Sequence, residues 1–189
     1  YVSGGSIVGV DVDIMNKVGE KLGKKVVFKS VSFDIIVDTV SAGKLTNVGA
    51  AGLSITPARQ EKVDFSKVYY QANLYVIYNV DAVSESFSKV MNDGVTGVYW
   101  SSLETTKGIG IQTGTTADFF LSDEVTEGGS LEGTKKTDYK SLDTAVADIT
   151  SPTREEKIKL LVCSNRSRVT GAVIEYKKLH PNISFEVNI

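Results

Sequence analysis

Residues that could bind an anion are concentrated in the stretch "GLSITPARQEKVDFS" at positions 52–66. Ser54, Thr56 and Arg59 lie close together there, around Pro57. Proline is favourable at the first position of a helix, and the hydroxyl residue before it commonly caps that helix. A helix start offers unpaired N–H groups, and arginine can hold a carboxylate through two parallel hydrogen bonds. The stretch therefore indicates a carboxylate-binding site.

A second stretch, "IGIQTGTTADFFL", has a similar design. A short apolar run leads into a turn with glycine and hydroxyl residues, and a helix is predicted to start near Thr115 or Thr116. A structural interpretation of both stretches remains open. In that interpretation Thr56 and the second pair of threonines only cap helices, and Arg59 is a solvated surface residue. Finding both stretches in one α/β chain favours a ligand site, because open α/β sheets bind ligands beyond the carboxyl ends of their strands.

The composition excludes several kinds of protein. The chain has 189 residues, enough for two small lobes, and its 21 Lys and Arg nearly balance its 23 Asp and Glu, so no nucleic-acid partner is expected. No apolar run approaches the roughly 20 residues that cross a bilayer. One Cys and one His exclude a zinc site built from several such ligands, and neither a metal nor a cofactor is expected.

Helix and strand signals alternate along the first part of the chain. A helix is predicted from Asp11, which would cap it, to Gly23, which would end it, and a second helix over "FDIIVDTVSAGK" is closed by Gly43. The β-branched run at 25–31 and the small apolar run at 47–53 are predicted to be strands. This alternation predicts an α/β fold.

The later part of the chain continues the pattern. An extended strand is predicted over 69–80, followed by a polar connection at 81–107 and the strand, turn and helix of the second stretch. A helix is predicted over "SLDTAVADI", and a strand over 169–176. The predicted inner face of that helix consists of Leu142, Ala145, Val146 and Ile149.

Three segments in this order carry a family resemblance. They are "GVDVDIMNKVGEKLGKKVVFKSVSFDIIVDTVSAGKL", "AAGLSITPARQEKVDFSKVYY" and "IGIQTGTTADFFL". Together they resemble the polar amino-acid-binding proteins of ABC importers, which belong to the type II periplasmic solute-binding family. The resemblance implies a two-lobed α/β molecule of the Venus-flytrap kind, with a ligand cleft between the lobes. It also implies that the lobes close on a free, polar L-amino acid and deliver it to a permease.

The resemblance also implies roles for individual residues. Arg59 lies where the family's arginine holds the ligand carboxylate, while Ser54 and the Gly52 carbonyl lie where contacts to the ligand α-amino or carboxylate group are made. Further implied ligand contacts are Thr56, Thr115, Thr116 and Phe33. Phe33 is similar to a ring that stacks on the ligand side chain, and the alternative for it is a core aromatic at a helix start.

The chain departs from the family pattern at both ends. The segment before "GGSIVGVDVDI" and the closing helices of the family are missing, so the sequence is expected to be truncated. The expected lobes are residues 1–78, an incomplete lobe 1, and residues 79–189, lobe 2. The family's carboxylate for the ligand ammonium has only Glu175 as a candidate, and the alternative for this residue is a surface carboxylate at a strand end.

Two other functions remain open on the same fold. One is an enzyme similar to cyclohexadienyl dehydratases, and the other is the ligand-sensing domain of a signalling receptor. A binding protein is favoured, because the positioned acid or base that an enzyme needs has poor candidates here. The expected partners are the amino acid and the permease subunits of an ABC transporter. The chain is expected to be an extracytoplasmic monomer, located in the periplasm or at the cell surface as a lipoprotein.

Overall fold

The computed structural model describes residues 2–72, 74–78, 88–90, 96–98, 103, 108–150 and 160–163. The chain divides into two compact units, Tyr1–Gln71 and Ala72–Ile189. Among the described residues, no helix is both long and apolar enough to span a membrane. The strand predicted over 169–176, together with Glu175, lies outside the described residues.

The regular structure in the described part of unit 1 is mostly helical, and more than half of its described residues lie outside helices and strands. Strands β1 (Val2–Ser3) and β2 (Ser6–Ile7) form a small antiparallel hairpin. Helix α1 (Val10–Leu22) follows, and then a 3₁₀ turn (Phe33–Ile35) that continues directly into α2 (Ile36–Ala42). Helix α3 (Pro57–Gln60) is a single turn later in the same unit. The predicted helix ends at Gly23 and Gly43 are confirmed, because both glycines adopt the left-handed conformation that closes a helix.

The predicted cap of α1 is wrong. Gly9 is the N-cap residue, and Asp11 lies within the first turn of the helix. The Asp11 carboxylate instead accepts a hydrogen bond of 2.6 Å from the Tyr69 hydroxyl. Burial, this bond and the negative charge of Asp11 raise the pKa of Tyr69 to about 12. The bond therefore ties the start of α1 to the last residues of unit 1.

The two strands predicted for unit 1 are also wrong. Residues 25–31 and 47–53 are fully described, and neither segment forms a strand. A β-branched sequence favours extended backbone, but a strand also needs a neighbour that accepts and donates its ladder hydrogen bonds. Gly49 lies so close to α2 that a Cβ there would be 2.8 Å from Ile36 Cγ2. The small residues of this segment thus allow close packing on a helix.

Unit 2 is built around a four-stranded sheet. Its strands are β3 (Tyr75–Tyr78), β6 (Ile109–Gln112), β7 (Lys136–Tyr139) and β8 (Leu160–Cys163), in the order β3-β8-β6-β7. The central strand β6 runs parallel to both neighbours, while β3 is antiparallel to β8. Among the described residues of the extended strand predicted over 69–80, only Tyr75–Tyr78 form a strand, and this strand pairs within unit 2.

Two helices accompany this sheet. Helix α4 (Thr116–Glu124) connects β6 to β7, and α5 (Leu142–Thr150) follows β7. The predicted inner face of α5 is confirmed, because all four of its apolar residues are buried. The central strand is also buried at every position. Within the connection predicted at 81–107, β4 (Ser88–Val90) and β5 (Thr96–Val98) form an antiparallel pair.

Candidate ligand-binding site

The first candidate ligand-binding segment is a single helical turn in unit 1. Helix α3 (Pro57–Gln60) has Pro57 at its first position and Thr56 as its N-cap, as the sequence predicts. The Thr56 hydroxyl accepts a hydrogen bond of 3.3 Å from the backbone N–H of Arg59. Thr56 and Pro57 thus fix the backbone that carries the arginine.

Arg59 is not a solvated surface residue. Only 8% of it is exposed, and its Nη1 donates a hydrogen bond of 2.7 Å to the Ser54 carbonyl. The side chain therefore folds back over the cap of its own helix. Burial of a guanidinium is unfavourable unless hydrogen bonds and charges compensate for the lost water, so a buried arginine beside a helix start calls for a specific explanation.

Phe33 supports the arginine from the 3₁₀ turn. It is buried, and the Arg59 guanidinium carbon lies 6.0 Å from the centre of its ring. This distance is at the outer limit of a cation–π contact. Burial lowers the pKa of Arg59, but a guanidinium does not lose its proton in proteins, so the side chain keeps its charge at neutral pH. The structure therefore holds a permanent positive charge against an aromatic ring.

The other predicted residues of unit 1 lie next to this arginine in the chain. Gly52 is exposed and has a φ of 59°, in the left-handed region that favours glycine. Ser54 is half-buried and supplies the carbonyl that orients Arg59. Phe33, Ser54, Thr56 and Arg59 are thus brought together, with Gly52 on the same segment.

The second candidate ligand-binding segment is the turn between β6 and α4 in unit 2. Thr115 is the N-cap of α4, and its hydroxyl accepts a hydrogen bond of 3.2 Å from the Asp118 N–H. The same hydroxyl donates its proton to the Gln112 carbonyl over 2.8 Å. Thr115 is buried, with 5% of it exposed. Its side chain is thus committed within the protein, whereas Thr116, the first residue of the helix, is only half-buried.

Sequence reasoning missed an ion pair beside this turn. The Asp118 carboxylate accepts a 2.8 Å hydrogen bond from the Gly114 N–H and a 2.6 Å bond from Lys136 Nζ on β7. Ser122 and Asp138 also bond to members of this pair. Asp118 could have been found, because an acidic residue three places after an N-cap is typical of helix starts. Nothing local in the sequence indicates that Lys136 is its partner.

The ion pair shifts the pKa values of both partners. Burial alone would raise the pKa of Asp118, but the hydrogen bonds from Lys136 and Gly114, together with the lysine charge, hold it below its ordinary value. Burial alone would lower the pKa of Lys136, but its bonds to Asp118 and Asp138 raise it. Both partners are therefore charged at neutral pH.

The chain matches a family model over most of its length. Residues 1–161 match the model of the bacterial extracellular solute-binding proteins, family 3. Among curated proteins, the chain is 31% identical over 108 residues to the arginine-binding extracellular protein ArtP of Bacillus subtilis, covering 57% of this chain and 42% of ArtP. It is 29% identical over 123 residues to an arginine-binding periplasmic protein of Mannheimia haemolytica, covering 65% and 44%. The chain thus spans less than half the length of these relatives.

Solved structures confirm the α/β fold class expected from the sequence. An ancestral arginine-binding protein bound to arginine superposes with a TM-score of 0.70 and 23% identity, covering 98% of this chain and 72% of that one. The substrate-binding protein AbpA of Streptococcus pneumoniae bound to L-arginine gives a TM-score of 0.69 and 20% identity, covering 100% and 69%. These neighbours have the type II periplasmic-binding-protein fold.

Proposed function

We propose that this chain, which belongs to the bacterial extracellular solute-binding proteins of family 3, binds a free amino acid through its α-carboxylate at Arg59. The observation that carries the proposal is the burial of this guanidinium at a capped helix start, where the Ser54 carbonyl and the Phe33 ring orient it. A carboxylate that leaves water needs donors to replace its hydration, and arginine supplies both donors and the opposite charge.

The turn before α4 is proposed as a second source of donors for the same ligand. Because the Thr115 hydroxyl is used inside the protein, the direct contact is assigned to Thr116, through its hydroxyl and its N–H at the start of the helix. Thr115 then shapes the turn. Glu175 remains a candidate for the ligand ammonium and lies outside the described residues.

The names of the relatives limit the choice of amino acids to test first. Several curated relatives are named arginine-binding or probable histidine-binding proteins, while one solved structure holds glutamine. These side chains are polar, in agreement with the polar ligand expected from the sequence. We propose the same class here, with delivery to an ABC transporter permease. The family description also supports an extracytoplasmic location, and attachment as a lipoprotein and a monomeric state are part of the proposal.

A thermal-shift screen with the twenty amino acids tests the proposal. A ligand present at about 100 times its Kd stabilises the folded state by about 2.7 kcal/mol, which shifts the melting temperature measurably. L-arginine, L-histidine and L-glutamine are expected to give the largest shifts. Their α-amides, which lack the carboxylate, are the matched controls and are expected to give none. Equal shifts from an amino acid and its amide would contradict carboxylate recognition by Arg59.

The enzyme alternative is not favoured. The relatives found are named as binding proteins rather than enzymes. Incubation with prephenate or arogenate, followed by chromatography of the products, is expected to show no turnover. Accumulation of phenylpyruvate or phenylalanine would replace the proposed function by that of a dehydratase.

A further inference from the structure

The carboxylate of Asp118 lies beside the start of α4. Asp118 belongs to the first turn of α4, and its side chain bonds to the N–H of Gly114 in the turn before the helix. Only 11% of this side chain is exposed, so solvent screens its charge weakly. A ligand carboxylate that contacts Thr116 would approach this like charge, and two nearby carboxylates repel each other.

Lys136 is the group that offsets this charge. Its ammonium lies 2.6 Å from Asp118 Oδ1, and only 19% of its side chain is exposed. The lysine comes from β7, the strand that pairs with β6 beside the turn, so the sheet fixes its position independently of the helix. Lys136 also bonds to Asp138 at 3.0 Å, but that carboxylate is about half exposed and therefore better solvated.

We infer that Lys136 is a positioning residue for ligand binding, which acts through Asp118. By neutralising the Asp118 carboxylate, it leaves the turn and the helix start able to accept a second carboxylate, that of the amino acid. The Gly114 hydrogen bond at the same time holds the turn in place. This inference rests on the proposed function, because it concerns the same ligand carboxylate.

Calorimetric titration of four folded proteins tests the inference. They are the wild type, Lys136→Met, the double variant Lys136→Met/Asp118→Asn, and the control Lys17→Met, which removes an exposed lysine paired with Glu20 on α1. The probes are L-arginine, L-histidine and L-glutamine. We expect Lys136→Met to raise the dissociation constant about tenfold, because it leaves the Asp118 charge uncompensated. The double variant and the control are expected to remain within about threefold of the wild type.

Recovery in the double variant is the decisive result. A merely structural role predicts that removing a second member of the pair does not restore affinity, whereas charge neutralisation predicts that it does. Equal affinity of Lys136→Met and the wild type would overturn the inference alone. Failure of the wild type to bind any of the three probes would overturn the proposed function, and the inference with it.

A further variant covers a loss of folding in Lys136→Met. Asp118→Asn keeps an oxygen that can accept the Gly114 hydrogen bond but removes the negative charge. Its affinity is expected to equal or exceed that of the wild type by up to about threefold. A loss of tenfold or more in Asp118→Asn would contradict the inference.

Discussion

Replacement of Arg59 by alanine is the most direct perturbation of the proposed site. It removes the buried positive charge and the 2.7 Å hydrogen bond to the Ser54 carbonyl. Loss of one partner from a buried, hydrogen-bonded charge pair typically costs about 2–5 kcal/mol of binding free energy. The dissociation constant for the amino acid should therefore rise by a factor of about 30 to about 4,000.

The same change also affects folding, so stability must be measured beside affinity. The lost hydrogen bond from a charged donor is worth about 1.5–3 kcal/mol, and the contact with the Phe33 ring about 0.5–1 kcal/mol. Relief of the desolvated charge offsets part of this loss. We expect the free energy of unfolding of Arg59→Ala to fall by about 1–3 kcal/mol, measured by urea denaturation.

Two further variants complete the test. Arg59→Lys should recover only part of the affinity, because an ammonium keeps the charge but not the two-pronged geometry. Lys62→Ala is the control, since it removes a nearby positive charge whose pair with Asp38 is exposed on both sides. Its affinity should change by less than about twofold. If calorimetry gives the same dissociation constant for folded Arg59→Ala and the wild type, the assignment of Arg59 to the carboxylate is refuted.

Three other predictions follow from the hydrogen bonds described. Thr115→Ala should lower the free energy of unfolding by about 1–2 kcal/mol in urea denaturation, because the Gln112 carbonyl and the Asp118 N–H both lose the hydroxyl that they share. Thr116→Ala should instead weaken ligand binding with little loss of stability. The reverse pattern would contradict the roles assigned to the two threonines. The raised pKa of Tyr69 favours the protonated phenol in the folded state, so the stability contributed by its hydrogen bond to Asp11 is present below pH 10 and is lost as the pH rises toward about 12. The difference between the ultraviolet titration curves of the wild type and Tyr69→Phe should therefore show one tyrosine that ionises near pH 12. A midpoint near pH 10 would contradict the hydrogen bond. Because the pKa of Asp118 is lowered, the stability that its ion pair contributes is present above the ordinary aspartate pKa of 3.8 and is lost as the pH falls further. The stability of Asp118→Asn should therefore depend less steeply on pH in acid than that of the wild type. Equal steepness would contradict the ion pair.

The sequence predicted those elements whose signals are local. The cap at Thr56, the proline after it and the strand, turn and helix around Thr115 depend on residues within one turn of each other, and all were placed correctly. The inner face of α5 was also predicted, because helical spacing of apolar residues directly reports which side is buried.

Features that depend on distant residues were not predicted. The strands predicted at 25–31 and 47–53 are not formed, because strand pairing depends on a partner elsewhere in the chain. The pair between Asp118 and Lys136 joins residues eighteen positions apart and exists only because β7 lies beside β6. The double use of the Thr115 hydroxyl likewise depends on backbone geometry, which brings the Gln112 carbonyl within 2.8 Å.

For residues 52–66, helix capping and carboxylate binding are not mutually exclusive interpretations. Thr56 does cap a helix, but the N–H that its hydroxyl accepts from belongs to Arg59 itself. The cap therefore fixes the backbone of the residue whose guanidinium returns to the Ser54 carbonyl and lies over Phe33. A cap on its own does not require an arginine at this position, and a surface arginine does not require burial. The combination has a physical reason if the chain must hold a positive charge ready for a carboxylate, because preorganised donors lose less entropy on binding than mobile ones.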